Sequence, residues 1–425
     1  MDSYLPATGG TMLLAEETQD PSKKVSILCG VLHDPSSSSF TLSIKELAIV
    51  NLTEQFMEKN RAVDLCSLLT HLRFFFSLIP TAQTAKVMRR VIDSVGVIPG
   101  SSDLQIIICK EMVQWARAER RSLLRQRLEA RLAALLVENK EYWEALALLN
   151  GLIKEVRRID NKLLLVEIHL LESKLHVSLG CLRKANAALT AARTAANSAV
   201  RVPQDLQGAM ELQNGILRAE DKDYKTAHHY FGEAFVCFCS IKEVDPREVL
   251  SLKYWLLCKI MVGQGHLVPG ILSRVFFTIG FPVPPVLAVL TQAADAVCRL
   301  SLQSFKIVFE RYKPELEEDP FVHRHLSFLH GNLLERNLRR LIEPFSRVEI
   351  AHVSELIGLP VHHVERKLSQ MILDRKLAGK LDQSGCLVIF DNRKTAAFYL
   401  STLQTFFIIG KVVDSLYARS AKIIA

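Results

Sequence analysis

The 425-residue chain contains no Cys-x-x-Cys pair, no His-Glu-x-x-His and no Gly-x-Ser-x-Gly. Their absence removes thiol-redox and zinc-ribbon chemistry, zincin hydrolysis and the α/β-hydrolase nucleophile elbow. Gly379-Lys380 and Gly410-Lys411 lack both the upstream glycine loop and the following Ser or Thr of a phosphate-binding loop. The nine cysteines are odd in number and scattered, mostly inside apolar helical patterns, as expected of buried thiols in a reducing compartment. No basic segment followed by an apolar core opens the chain, so no signal peptide is expected, and the compartments expected are cytoplasm and nucleus. Long uncharged runs are also scarce. Only one stretch of twenty residues, between Arg274 and Asp295, lacks Asp, Glu, Lys and Arg. Pro282, Pro284 and Pro285 interrupt it and remove hydrogen bonds that lipid cannot replace, so it reads as an irregular apolar segment packed on protein and no membrane partner is expected.

What the chain does have is apolar material, 49% of residues against 23% charged, and a length beyond one ordinary core. That points to two or three domains or an extended repeat array. The net charge of +8 is most concentrated from Lys110 to Arg131, with seven basic and three acidic residues. This stretch reads as a solvated helix face, with a docking surface for an acidic protein as the alternative.

Residues 1–41 contain the loop signal Asp34-Pro35-Ser36-Ser37-Ser38-Ser39 and read as a variable, poorly ordered tail. From Leu42 onward the pattern is helical almost throughout. Three helix hairpins repeat in the middle. Their turns fall at Glu138-Asn139-Lys140-Glu141, at Gly180-Cys181 and at Asp221-Lys222-Asp223. Each second helix begins with an aromatic or Leu three positions before an alanine: Tyr142 and Ala145, Leu182 and Ala185, Tyr224 and Ala227. The small residue lets the two helices approach closely, which is tetratricopeptide-like packing at a period longer than usual. The aromatics of these hairpins are expected in the core. Such units bury their apolar faces only when stacked, so residues 42–222 are expected to form a solenoid with a concave binding surface. Beyond the hairpins come a helix from Arg247 to Met261, the turn Gly263-Gln264-Gly265, and a further helical pattern from Ala288 to Tyr312.

The C-terminal part differs in kind. Ser346-Arg347-Val348-Glu349 fits a capping box. A short helix should bury Ile350, Val353, Leu356 and Ile357, and a second helix after Gly358-Leu359-Pro360 should bury Val361, Val364, Leu368 and Met371. Residues 379–390 read as a hairpin turning at Gln383-Ser384-Gly385. Helix, turn, helix and hairpin are the order of a winged helix, expected at about 341–393 within a domain spanning 223–393. A last helix covers 394–425. The fold class is therefore all-α: a helical solenoid, a winged-helix module and a C-terminal helix.

Winged helices also bind DNA. The outward residues of the second helix, His362, His363, Glu365, Arg366, Ser369 and Gln370, are mixed rather than basic, so no nucleic acid is expected. His323-x-His325 lacks the further Ser and Asp of a zinc deubiquitinase motif, those positions holding Leu333 and Arg336. The adjacent pairs His228-His229 and His362-His363 should diverge on their helices. No metal and no cofactor is expected, and no catalytic residue is assigned.

Several segments carry a resemblance: Arg340-Leu341-Ile342-Glu343-Pro344-Phe345-Ser346-Arg347-Val348, Val364 to Asp374, Leu170-Leu171-Glu172-Ser173-Lys174, Ser251-Leu252-Lys253-Tyr254 and Lys411 to Tyr417. With the winged module they resemble the PCI family, whose members scaffold the proteasome lid, the COP9 signalosome and a translation initiation factor complex. Within it they resemble the proteasome lid subunits, over roughly residues 110–262 and 295–422. Residues 1–105 resemble them weakly. The resemblance implies a non-enzymatic scaffold whose partners are other lid PCI subunits, the ATPase ring and the core particle. It also implies an edge strand at Leu387, Val388 and Ile389 for a neighbour's strand, and a bundle contact through Val412, Val413, Leu416 and Tyr417. A signalosome scaffold and a winged-helix nucleic-acid binder are the alternatives.

Overall fold

The computed structural model describes the chain except for residues 1–4, 19, 35, 37, 99, 242–245, 280–284, 312–318, 383–385, 390–391 and 425. It divides into two units, Met1–Leu252 and Lys253–Ala425.

The first unit is a stack of helices: α1 (Gly9–Glu17), α2 (Pro21–Leu32), α3 (Ser39–Glu58), α4 (Ala62–His71), α5 (Arg73–Leu78), α6 (Thr81–Val97), α7 (Ser102–Ala118), α8 (Ser122–Glu138), α9 (Tyr142–Ile159), α10 (Lys162–Ser178), α11 (Leu182–Ser198), α12 (Gln204–Glu220) and α13 (Tyr224–Cys239). The division between the units falls inside the next helix, α14 (Pro246–Val262). The turns repeat more regularly than the side chains do. Gly100, Arg120, Lys140, Asp160 and Gly180, twenty residues apart in succession, all have positive φ, as does Lys222. At Arg120, Lys140, Gly180 and Lys222 the helix closes with the double bond of a Schellman cap; for example, Gly180 N–H donates to Val177 O and Cys181 N–H to His176 O. Two turns of twenty residues make one hairpin of forty, the spacing that separates Ala145 from Ala185.

Ala145, Ala185 and Ala227 are fully buried. Tyr142 and Leu182 lie half-buried against the core beside them. Trp143 is the exception among the hairpin aromatics expected in the core, being 79% exposed, because it points away from the alanine one position from Tyr142. In the α12–α13 hairpin the close approach depends on glycine. A Cβ on Gly215 would stand 2.5 Å from the Phe231 ring, and one on Gly208 2.9 Å from Phe238. Both rings are fully buried and have no room to retreat.

The expected disordered tail is a correction. α1 and α2 bury Met12, Ala15, Leu28 and Val31 in the same core as α3 and α6. The loop signal acts as a clasp instead. The Asp34 carboxylate accepts from Ala7 N–H at 2.6 Å, and the buried Lys45 ammonium donates to Asp34 O and Ser36 O at 2.6 and 2.8 Å. Backbone hydrogen bonds from Ser36 and Ala7 hold the Asp34 carboxyl below its usual range.

The second unit continues from α14 through a 3₁₀ turn, Gly265–Leu267, into α15 (Val268–Ile279), α16 (Pro285–Cys298), α17 (Leu302–Arg311) and α18 (Pro320–Ile342). Gly263 has φ +90°, and a Cβ on Gly265 would meet Cys298 Sγ at 3.0 Å and Ala294 O at 3.2 Å, so this turn needs both glycines. The uncharged stretch is not an irregular segment where it is described, because α15 and α16 lie in it on either side of residues 280–284. Pro285 opens α16, where its missing N–H costs nothing. Pro282 and Pro284 lie outside the described residues. No described helix is long and apolar enough to cross a membrane. The winged module follows as β1 (Arg347–Glu349), α19 (Ile350–Ile357), α20 (Val361–Leu373), β2 (Gly379–Leu381) and β3 (Cys386–Ile389), then α21 (Asn392–Ile424).

Two glycine substitutions separate close packing from helix propensity. Gly215→Ala should lose about 1–3 kcal/mol in chemical denaturation, since a methyl must displace a buried ring. Gly151→Ala, on the exposed face of α9 with nothing within 4 Å of the new Cβ, should gain up to ~1 kcal/mol. Equal effects at the two positions would refute the close-approach reading.

Candidate assembly surface

The second unit is built around the start of α18. Asp319 caps it, its carboxylate accepting from Phe321 N–H at 3.1 Å and Val322 N–H at 3.4 Å. The same carboxylate accepts from the Tyr254 hydroxyl at 3.1 Å and pairs with the Lys253 ammonium. The Tyr254 ring packs 4.5 Å from that of Phe321. Burial, with Asp319 adding to it, pushes the Tyr254 phenol up, so it stays protonated and donates. Lys253 and Tyr254 close the segment Ser251-Leu252-Lys253-Tyr254 that carried part of the resemblance, but their shared partner was not legible, lying sixty-five positions beyond Tyr254.

The winged sheet has the order β1-β3-β2, antiparallel throughout, with Val348 opposite Leu387 and Lys380 opposite Val388. Two expectations fail here for one reason. The capping box at Ser346–Glu349 does not form: residues 347–349 pair with β3, Ser346 O accepts from Ile389 N–H at 2.9 Å, and α19 starts only at Ile350 with no side-chain cap. Because this third strand takes one side of β3, Leu387, Val388 and Ile389 form the middle strand and not an edge. The edges are β1 and β2. The turn at 383–385 lies outside the described residues. Ile350, Val353 and Ile357 are buried as expected, and so are Val364, Leu368 and Met371, whereas Leu356 and Val361 are 54% and 46% exposed.

The second winged helix is not free to present its lysine. Lys367 Nζ lies 2.9 Å from Glu335 on α18, and Lys376 Nζ lies 2.8 Å from the other oxygen of the same carboxylate. Arg339 donates to Lys376 O at 2.6 Å. Burial alone would raise the Glu335 carboxyl, but the hydrogen bonds and charges of Lys367 and Lys376 outweigh it and hold it low. Of the outward face, Arg366 stands beside Glu365, with His362 and His363 exposed. A duplex-reading helix would keep its cations for phosphate and base edges.

Helix α21 leaves the winged module with an uncovered apolar surface. Val412, Val413, Leu416 and Tyr417 are 51–77% exposed. Sequence reading missed that Leu403, Phe406, Phe407, Ile408 and Ile409 are exposed as well, all by more than half, so that apolar side chains surround most of this part of the helix. The run Phe406-Phe407-Ile408-Ile409 was the available signal.

Elsewhere the basic stretch 110–131 is largely consumed by internal pairs. Lys110 meets Glu144 at 3.3 Å, Arg117 meets Glu129 at 3.1 Å, Arg125 pairs with Glu155, and Arg121 donates to Phe76 O at 2.8 Å. The stretch is thus not a simply solvated face. The His228 and His229 rings do not diverge but lie 4.0 Å apart. Still, no group of three metal-binding side chains exists among the described residues. The buried Cys109 thiol is pushed up to about 12 by burial, and the thiol of Cys239, an exposed residue, is pushed up to about 12 by local desolvation and a 3.1 Å contact with Glu248.

Residues 14–139 match the model of the 26S proteasome regulatory subunit RPN6 N-terminal domain, and residues 309–392 match the PCI domain. The 26S proteasome non-ATPase regulatory subunit 11 homolog of Arabidopsis thaliana is 60% identical over 99% of both chains. The probable regulatory subunit rpn6 of Schizosaccharomyces pombe is 40% identical over 96% of both. The regulatory subunit RPN6 of Saccharomyces cerevisiae is 36% identical over 89% of this chain and 87% of its own. The chain belongs to the RPN6 family of 26S proteasome regulatory subunits. It is accordingly a non-catalytic regulatory subunit, and the alternatives of a signalosome scaffold or a nucleic-acid binder are not favoured. The RPN6 model begins at residue 14, so the weak likeness expected over residues 1–105 is corrected: the family extends through the N-terminal helices as well.

Glu335→Gln should cost about 1–2 kcal/mol near neutral pH, because two lysines lose a charged acceptor at a partly exposed site. The sign with pH is fixed by the lowered carboxyl. Its contribution is full above the ordinary value of about 4.3 and disappears as pH falls through the lower folded value. Thermal melts from pH 7 to pH 3 should therefore converge for the two proteins. A constant gap would remove the pair from the acid limb.

Proposed function

We propose that this RPN6-family protein is a structural subunit of the proteasome lid, holding lid, ATPase base and core particle together for degradation of ubiquitin-bearing substrates. The exposed apolar face of α21 carries the reading. Leaving nine large apolar side chains in water forgoes ~1.5–3 kcal/mol for each one that a partner would bury fully. A 33-residue helix reaches about 50 Å and suits a bundle formed by the terminal helices of several subunits. The winged module adds a second contact. β2 pairs on only one side among the described residues, and alternation of the ladder turns the Gly379 and Leu381 N–H groups outward for a neighbouring strand. The solenoid supplies the arm toward ATPase and core subunits, and the protein works in both cytoplasm and nucleus.

Affinity purification of the tagged chain from cytosolic and nuclear fractions should recover lid, ATPase and core subunits together with peptidase activity. Phe406→Glu combined with Val413→Glu should leave the melting of the isolated chain within about 0.5 kcal/mol, since both sites are exposed, yet deplete the lid subunits at least tenfold. Undiminished recovery by this variant would sink the bundle contact. Recovery of no proteasome subunit by the unmodified chain would sink the lid reading itself.

A further inference from the structure

Helices α6, α8, α10 and α12 follow one another along one side of the solenoid. They line two hollows of about 320 and 350 Å³ that share Arg89, Arg131, Glu167 and Leu206, and so run together as one trough. Its charges do not balance. Each of its three carboxylates already has a partner: Glu167 lies 3.9 Å from Arg89, Asp93 lies 2.5 Å from Arg131, and Asp205 pairs with Arg247. Lys86, Arg127 and Lys174 also line the trough, all three exposed, and among the described residues none of them takes part in an ion pair.

Three unpaired cations in a concavity with low-dielectric walls focus a positive potential. Lys174 also feels the repulsion of the nearby Arg247 guanidinium, which an incoming anion would relieve. Between the cations the surface is apolar, with Ala85, Leu128 and Leu164 beside Leu206. A nucleic acid presents a charge at every phosphate and would be repelled where Asp93, Glu167 and Asp205 stand. A polypeptide whose carboxylates are spaced by apolar side chains meets both features of the wall.

We propose that this trough binds an acidic peptide segment of a partner protein, its carboxylates paired with Lys86, Arg127 and Lys174 and its intervening apolar side chains seated on Leu128, Leu164 and Leu206. The site is separate from the terminal helix and winged sheet, so it stands or falls independently of the lid contacts proposed there.

Fluorescence anisotropy on the full-length chain tests it, with a labelled peptide of about twelve residues alternating Glu and Leu as the probe. The Glu–Leu peptide should bind, and a Lys–Leu peptide should not. Lys86→Glu, Arg127→Glu and Lys174→Glu together should weaken binding at least tenfold. Lys154→Glu, Lys184→Glu and Lys225→Glu together change the net charge equally on α9, α11 and α13, and should leave it within about twofold. If the charge-reversed variant melts early, Lys86→Gln with Arg127→Gln replaces it, with at least a threefold loss expected. No binding of the Glu–Leu peptide, equal loss in the outer-helix variant, or tighter binding of an oligothymidylate of matched charge would each overturn the proposal.

Discussion

Each hairpin of the first unit packs its two helices tightly on one another and buries the rest of its apolar surface against the next hairpin. The constraint therefore sits in the distance between helices, and small residues set it. Ala145, Ala185 and Ala227 lie fully buried where two helices meet. At Gly208 and Gly215 the approach is closer still, with whole phenyl rings occupying the space a Cβ would need. The turns keep this distance in register. From Gly100 to Gly180 a left-handed residue every twenty positions closes one helix and starts the next after a short interval. Several of these positions hold Arg, Lys or Asp, which tolerate positive φ at a cost of about 1–2 kcal/mol compared with the right-handed region. The stack recovers that cost through the hydrogen bonds of the cap and the packing behind it.

The second unit solves a different problem, holding single elements together by shared acceptors. Asp319 serves four donors: two helix amides, a phenol and an ammonium. Glu335 serves two lysines from different segments. In each case one carboxylate, taken partly out of water, accepts from several donors at once, and removing it would leave those donors unpaired; at Glu335 the two lysines also hold the carboxyl low. This arrangement also decides the fate of the winged helix. Once Lys367 is turned to Glu335, the surface left outward has too little positive charge to hold a phosphate backbone.

Helix positions, hairpin turns and the winged-helix order were legible because they depend on local periodicity and on a few turn residues. The three turns fall where the sequence places them, and α9, α11 and α13 begin at Tyr142, Leu182 and Tyr224 as expected. What was not legible depends on partners distant in sequence. Ser346–Glu349 satisfies a capping rule locally, yet pairing with residues 386–389 wins, since a strand ladder satisfies more backbone groups than one cap. That same pairing makes Leu387 a core residue at the centre of its sheet. The loop signal at Asp34 was read as the end of order because Ser and Pro runs usually are. The buried Lys45, eleven residues on, converts it into a clasp.

Charge shows most clearly how surface and interior divide the work. The net charge of +8 suggests a strongly basic exterior, but much of the richest basic stretch is spent on Glu129, Glu144 and Glu155 within the stack. Cations that remain unspent are therefore informative, as are apolar residues that remain uncovered. Folding satisfies nearly every buried group it can reach, so a group left unmatched on a well-packed scaffold is one whose partner the chain does not contain. The exposed face of α21 is apolar and calls for another helix; its energy is non-directional and is realised only when area is covered. That makes it suited to permanent assembly. A contact made through separated charges forms faster and loosens with salt, and suits exchange. The two kinds of unmatched surface, on separate units of one chain, thus fit a subunit that is held fixed by one surface and left free to engage by the other.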